Sequence, residues 1–157
     1  MIEYSLGSID DMEEVIDLCA SWWYDSAFYE NTGMEFKIDR GLYEQLSEME
    51  SLFSVIGRNE HGKVVACYVS AIAPYMFNPE WLSSSEVVWC IDKKYRKAGE
   101  VLNLLAAIEA GLTQAGVRIF NLNFPVHEGR ERLAKKLEDK LGYFVQDLSI
   151  MKEIKYG

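Results

Sequence analysis

Four cations, Lys93, Lys94, Arg96 and Lys97, crowd into five positions of the sequence, with Gly99 just beyond. Ahead of them runs the apolar stretch Val87-Val88-Trp89-Cys90-Ile91. Behind them Leu102, Leu105, Ile108 and Leu112 recur at helical spacing, with Glu109 on the solvent side and Gly116 as a stop. A strand feeding a basic loop at a helix start holds an anion: the N–H groups of the first helical turn point outward without intrahelical partners, and the helix dipole favours negative charge. With Asp92 and Glu100 included, residues 92–100 carry a net +2 in a chain of formal charge −9. This is a local anion site on an acidic body. The acidity excludes a general nucleic-acid binder, which needs a cationic surface to displace phosphate counterions. It suits a cationic partner or an amine substrate, or serves solubility alone.

Other residues with chemistry in them are scattered. Cys19, Cys67 and Cys90 lack metal-ligand spacing and read as buried, reduced thiols of a cytoplasmic protein, with no metal and no disulfide expected. The N-terminal residues lack the basic and apolar segments of a secretory signal, and no apolar run approaches the ~18 residues of a membrane span. His61, in the cluster Asn59-Glu60-His61-Gly62, reads as turn chemistry. Glu86, directly before the apolar stretch, reads either as a general base or as an exposed strand-end charge. His127, after Pro125, reads as an acceptor contact or base, or as part of a helix start. Two aromatic passages stand out. Trp22-Trp23-Tyr24 through Phe28-Tyr29 is core filling at a helix end or a pocket wall. Residues 73–81, with Tyr75, Phe77, Trp81 and two prolines, form a loop folded over a ligand or over the surface.

The elements that must position these groups follow from periodicity. Residues 2–6 alternate as a strand. Ser8 caps a helix with Asp11 completing a capping box, and Ile9, Met12, Val15 or Ile16, Cys19 and Trp22 or Trp23 share its face. That helix frays near Ser26, and Asn31-Thr32-Gly33 breaks the chain. Asp39 caps a second helix with Leu42, Tyr43 and Leu46 inward. Residues 52–57 and 63–70 form an antiparallel hairpin, 87–91 a central strand covered on both faces, and 118–123 another strand. Residues 128–140 form a charged helix with Leu133, Leu137 and Leu141 as its stripe and Gly142 as its left-handed cap, before a last strand at 143–154. The order β-α-α-β-β-β-α-β-α-β fits one α/β or α+β domain over 1–157 with a mixed sheet.

The loop is neither a nucleotide-triphosphate loop nor a dinucleotide loop, since neither glycine pattern is present. Ile91-x-Lys93-x-Tyr95-Arg96-x-x-Gly99-x-Val101 resembles the pyrophosphate-binding motif of the GNAT superfamily of N-acetyltransferases, Arg/Gln-x-x-Gly-x-Gly/Ala opening a helix. Arg96 and Gly99 match; Val101 replaces the usual small residue. The element order resembles that family over nearly the whole chain, and Ala134, Leu137 and Leu141-Gly142-Tyr143 match its C-terminal pattern. The resemblance implies a mostly antiparallel mixed sheet flanked by helices, and acetyl-CoA as acetyl donor. It implies that backbone N–H groups of Arg96, Lys97, Ala98, Gly99, Glu100 and Val101 hold the pyrophosphate, with Lys93, Lys94 or Lys97 available to the 3′-phosphate. The edge of Trp89, Cys90 and Ile91 would hold the pantetheine arm and polarise the thioester carbonyl.

By the same resemblance a neutral amine attacks the thioester; Glu86, from its place before the strand, is a candidate base, acting directly or through water. The family's tyrosine acid aligns with Glu138, so Glu138, if burial raises its pKa, or Tyr143 is the candidate acid, with Tyr95 and water as alternatives. The acceptor, a small-molecule or protein amine, would meet Trp22, Trp23, Tyr29, Tyr75, Phe77, Trp81 and His127. Homodimers are common among such domains. The competing expectation is a non-catalytic member that binds coenzyme A or a partner protein.

Overall fold

The computed structural model of the chain describes residues 1–123 and 130–144, without the side chains of Ala98 and of residues 130–133. Its sheet runs in the order β1 (Glu3–Leu6), β2 (Leu52–Arg58), β3 (Val64–Tyr75), β4 (Asn78–Ile91), β5 (Val117–Phe120). The first four strands are antiparallel neighbours and β5 joins β4 in parallel, so the sheet is mixed and mostly antiparallel. Five helices are described: α1 (Met12–Trp23), α2 (Ala27–Thr32), α3 (Arg40–Glu48), α4 (Ala98–Gln114) and α5 (Arg130–Leu141).

Apolar residues of both faces of the sheet are buried, which makes two cores. Met12, Val15, Leu18 and Cys19 of α1 and Tyr43 of α3 pack with Ile56, Cys67, Val69 and Cys90 of the strands. Leu104, Leu105, Ile108 and Leu112 of α4 and Leu137 of α5 pack with Phe53, Val55, Ala66, Tyr68 and Ile91. The capping box at Ser8 forms as its sequence indicates, on a short 3-10 turn that leads into α1. Arg58 fastens that end of α1 to the β2–β3 turn, donating to Asp11 Oδ1 (2.6 Å), Glu14 Oε1 (2.7 Å) and the Gly62 carbonyl (2.6 Å). His61 is a turn residue: its N–H donates to Asn59 Oδ1 and its ring faces solvent.

Several expectations are corrected. Ser26 does not mark simple fraying; its hydroxyl accepts from the Tyr29 N–H and starts the short α2. Leu42 is exposed, because α3 turns only the Tyr43 side to the core. Leu141, at the end of α5, is likewise outside. Residues 73–81 form no loop over the body. They are the far end of a long β3–β4 hairpin, with Met76 and Phe77 at its exposed tip. Pro74 and Pro79 are tolerated because each lies where its strand has a single neighbour, beyond the reach of β2 and β5. The expected strand at 143–154 lies outside the described residues but for Tyr143 and Phe144, which belong to no strand.

Candidate active site

The apolar stretch that precedes the basic loop is the last third of β4, and it is not covered on both faces as its composition suggests. Val87 is 42% exposed, Val88 and Trp89 are half-buried, and only Cys90 and Ile91 are buried. Two features open it. First, Val69 faces Val88 while Ser70 faces Glu86, so Val87 bulges out of the ladder. Second, β5 pairs with β4 only at Leu82, Ser83 and Ser84. From Glu86 onward the two strands part, and no described strand pairs with that edge of β4.

The gap is bridged by side chains. Glu86 Oε2 accepts the N–H of Asn123 (2.6 Å), and the Trp89 indole N–H donates to the Asn123 carbonyl (2.7 Å). Both backbone groups of Asn123 are thus held by β4 side chains in place of a strand ladder. Burial pushes the Glu86 carboxyl up to about 7, against the Asn123 N–H that favours its charged form. A carboxyl poised there takes a proton at neutral pH.

Beyond Ile91 the chain turns through the basic loop into α4. The turn is pinned by its backbone, Asp92 N–H to the Val65 carbonyl and Tyr95 N–H to the Asp92 carbonyl, both 2.8 Å. The Arg96 guanidinium does not reach outward. Its Nε and Nη2 donate back to the Ile91 carbonyl (3.2 and 3.1 Å), so Arg96 clamps the strand end to the helix start. Tyr95 is committed too, its hydroxyl accepting from Asn59 Nδ2 (3.0 Å). Lys97 stands at the N-cap of α4 with extended backbone and no capping side-chain bond. The N–H groups of Ala98 and Gly99 therefore lack the partner that a Ser, Thr or Asp cap would give them, whereas those of Glu100 and Val101, also expected to face the anion, donate to the Lys97 carbonyl (3.0 and 3.2 Å). Around Gly99, among the described residues, no atom outside its chain neighbours and its own helix backbone lies within 4 Å of where a Cβ would stand, so an anion can approach that backbone. Glu100 points the other way, its carboxylate and carbonyl both taking the Tyr4 hydroxyl (3.4 and 3.3 Å).

On the α1 face, Val87 and Val88 form one side of a cleft of about 200 Å³. Trp22, Trp23 and Cys19 of α1, Tyr43 of α3 and the passage Met34 to Ile38 complete it. Aromatic tips hold that passage: the Trp23 indole N–H donates to the Met34 carbonyl (2.8 Å) and the Tyr24 hydroxyl to Glu35 (3.1 Å). Sequence reasoning missed these five residues. Their alternation, Met34-Glu35-Phe36-Lys37-Ile38, was the signal that could have found them.

The sequence-predicted acceptor residues divide. Trp22 and Trp23 line the cleft. Tyr29 stands edge-on to Tyr24 at 5.0 Å and is not among the lining residues. Tyr75 and Phe77 meet at 5.7 Å at the far hairpin end, and Trp81 lies under Arg118, 4.0 Å from its guanidinium carbon. His127 lies outside the described residues. Among the acid candidates, Glu138 sits exposed on α5, without the burial that an acidic role requires. The Tyr143 hydroxyl donates to Glu109 and its ring meets Phe120 edge-on; burial and that carboxylate push its pKa far up, which makes it a poor acid. The three cysteines are free, and the fold gathers them: their Sγ atoms all lie within 4.8 Å of one another.

No family model matches the chain, and no curated protein matches it. Solved structures do match. An aminoglycoside acetyltransferase from an uncultured soil metagenomic sample, in complex with sisomicin, superposes with a TM-score of 0.70 at 14% identity, over 98% of this chain and 97% of its own. A predicted acetyltransferase from Clostridium acetobutylicum, with acetyl-CoA, gives 0.65 at 15% identity, over 99% and 96%. The ribosomal-protein-alanine N-acetyltransferase of Brucella melitensis biovar Abortus 2308 gives 0.65 at 16% identity, over the whole of both chains. The chain has the fold of the GNAT N-acetyltransferases, as its sequence indicates.

Proposed function

We propose that this chain is a GNAT-superfamily N-acetyltransferase, moving an acetyl group from acetyl-CoA to an amine that enters the cleft beside Val87. The observation that carries this reading is the parted edge of β4. A strand edge that no described strand pairs, a helix start without a side-chain cap and a carboxyl poised near neutrality lie along residues 86–101.

The residues fit the donor. The N–H groups at the start of α4 would take the pyrophosphate beside the open face of Gly99, and Lys93, Lys94 and Lys97 supply positive charge. The edge of β4 at Trp89 to Ile91 would pair with the amide-bearing pantetheine arm, as a strand pairs. The donor supplies an activated thioester. Arg96 holds the loop, by the Ile91 carbonyl, in the shape that aims those groups together.

Glu86 accepts the proton that the ammonium must lose before nitrogen can attack. The N–C bond then forms, the C–S bond breaks, and a backbone N–H of the bulged edge stabilises the oxyanion between the two. Glu138 is exposed and Tyr143 is tied to Glu109, so water passes the second proton, which the nitrogen sheds as the amide forms, to the departing thiolate. That missing acid supports a second reading, a fold that binds coenzyme A without fast turnover.

Calorimetry with coenzyme A, followed by acetyl-CoA turnover against a panel of polyamines, aminoglycosides and peptide amines, tests both. Binding with turnover of any amine establishes the enzyme. Binding without turnover selects the second reading, and no binding sinks both.

A further inference from the structure

The gathered cysteines serve neither step of that reaction, and their arrangement is unlike ordinary packing. Cys19 comes from α1, Cys67 from β3 and Cys90 from β4. Cys67 and Cys90 are directly opposed in the ladder, with sulfurs 3.6 Å apart, and Cys19 closes the triangle from the helix above. They are 3%, 0% and 4% exposed, among Val15, Ile56, Val69 and Tyr43. Small apolar side chains would fill this space as well; three thiols whose sulfurs face one another form a donor set.

Its size fits one central atom. Bonds of ~2.3 Å to sulfur around a pyramidal three-coordinate centre, at angles of roughly 95–110°, place the sulfurs roughly 3.4–3.8 Å apart. Cys67 and Cys90 already have that spacing at 3.6 Å, and the other pairs, within 4.8 Å, close by roughly 1 Å or less. Among the described residues no His, Asp or Glu joins the three sulfurs as a fourth ligand. Structural zinc takes four ligands and leaves a charge on three thiolates, as does copper(I). An apolar core resists net charge. A trivalent centre with three sulfur bonds is neutral.

We propose that Cys19, Cys67 and Cys90 form a three-sulfur site for a trivalent thiophilic metalloid of the arsenite class, bound as a neutral tris-thiolate. The step balances without an oxidant. As(OH)3 and three thiols give As(SR)3 and three waters: three S–H and three As–O bonds break, three As–S and three O–H bonds form, and arsenic remains trivalent. Cys19 lines the cleft, so the metalloid reaches the first sulfur from there and the other two by local opening.

The test is titration of the reduced, full chain with sodium arsenite, read by intact mass, by the sulfur-to-arsenic absorption band and by counting reactive thiols. The expected result is one arsenic per chain, a mass gain of one arsenic less three hydrogens, and three thiols protected. Cys19→Ser and Cys19→Ala, at the cleft side of the cluster, should each weaken binding on the order of 100-fold, as one arm of a chelate is lost. The urea-unfolded chain, which keeps three thiols but not their placement, should bind more weakly than the folded one. A mass showing arsenic with a retained hydroxyl, three thiols still reactive at saturation, or variants that bind as tightly as the parent would overturn the proposal. So would one equivalent of zinc(II) bound where arsenite is not. If both variants lose the fold, the mass and thiol count of the parent decide alone.

Discussion

The donor side and the acceptor side of the candidate site are built in opposite ways. The donor side is one continuous stretch, from Glu86 through Val101, and it works through backbone groups: a parted strand edge, a pinned turn, an uncapped helix start. The acceptor side is a cleft made of side chains from α1, α3, the 34–38 passage and the Val87 bulge, distant in sequence and brought together only by folding. A backbone site depends on glycine, on register and on caps, so single residues disable it. A cleft of side chains spreads its contacts, so single residues adjust it.

The sharpest break in that comparison is Gly99→Glu. Among the described residues nothing outside the helix's own backbone and the chain neighbours lies within 4 Å of the added Cβ, so the fold and its melting temperature should be unchanged. Coenzyme A affinity should fall on the order of 100-fold or more, because a like charge placed against a phosphate costs several kcal/mol. Calorimetry beside a thermal melt reads both; full affinity in this variant would remove the start of α4 from the donor site.

Glu86 stands where the two sides meet, and its charge gives a second, smaller effect. As a base it acts when deprotonated, so kcat/KM should rise with pH through about 7 and flatten above. Glu86→Gln should lower kcat about 100-fold and erase that limb, while coenzyme A binding stays. Stability gives an independent reading. The folded pKa is raised above the unfolded one, so the native chain holds an extra proton between the two values and loses that advantage as pH climbs through about 7. Glu86→Gln should therefore be more stable than the parent at pH 8, by about 1–3 kcal/mol, with the gap closing near pH 4. A parent whose rate is independent of pH from 6 to 8 would leave Glu86 a structural carboxylate.

Arg96 separates charge from shape within the donor side. If it acted as a loose cation, Lys would replace it. Because its Nε and Nη2 both reach the Ile91 carbonyl, a lysine ammonium, a single point charge, cannot reproduce the clamp. Arg96→Ala and Arg96→Lys should weaken coenzyme A binding alike, by about tenfold. Rescue by lysine, with affinity falling as salt rises, would make Arg96 a phosphate ligand instead.

The same contrast explains what the sequence made legible. Val87–Leu102 announced itself because strand, basic loop and helix start are local features, each with its own composition. The β2–β3 hairpin and the capping box at Ser8 were legible for the same reason. Glu86 could be picked by its place before the strand, but its burial and its bond to Asn123 come from the parting of β4 and β5, which no local pattern encodes. Aromatic content misled twice. Tyr75 and Phe77 looked like a lid because two prolines argued against a strand, whereas an overhanging hairpin arm has no second ladder for proline to spoil. Tyr29 pairs with Tyr24 instead of facing the cleft. The cysteines, 48 and 23 positions apart, met through strand register and the packing of α1 on the sheet, neither of which spacing rules detect.

The smallest effect decides which aromatic set forms the acceptor wall. Trp22 lines the cleft beside Val87 and Val88, while Phe77, 77% exposed, stands at the hairpin tip. With the first amine that the panel shows to be acetylated, Trp22→Leu should raise the acceptor KM about fivefold, the worth of roughly 1 kcal/mol of lost apolar contact. The donor KM should stay fixed, since no donor group rests on Trp22. Phe77→Ser should leave both constants alone for a small amine and improve solubility by removing an exposed ring. The reverse pattern, Phe77→Ser raising the acceptor KM and Trp22→Leu silent, would move the acceptor to the far end of the hairpin. It would also take the Val87 bulge out of the reaction, because an amine held there lies beside Trp81 and Arg118 and not beside the parted edge of β4.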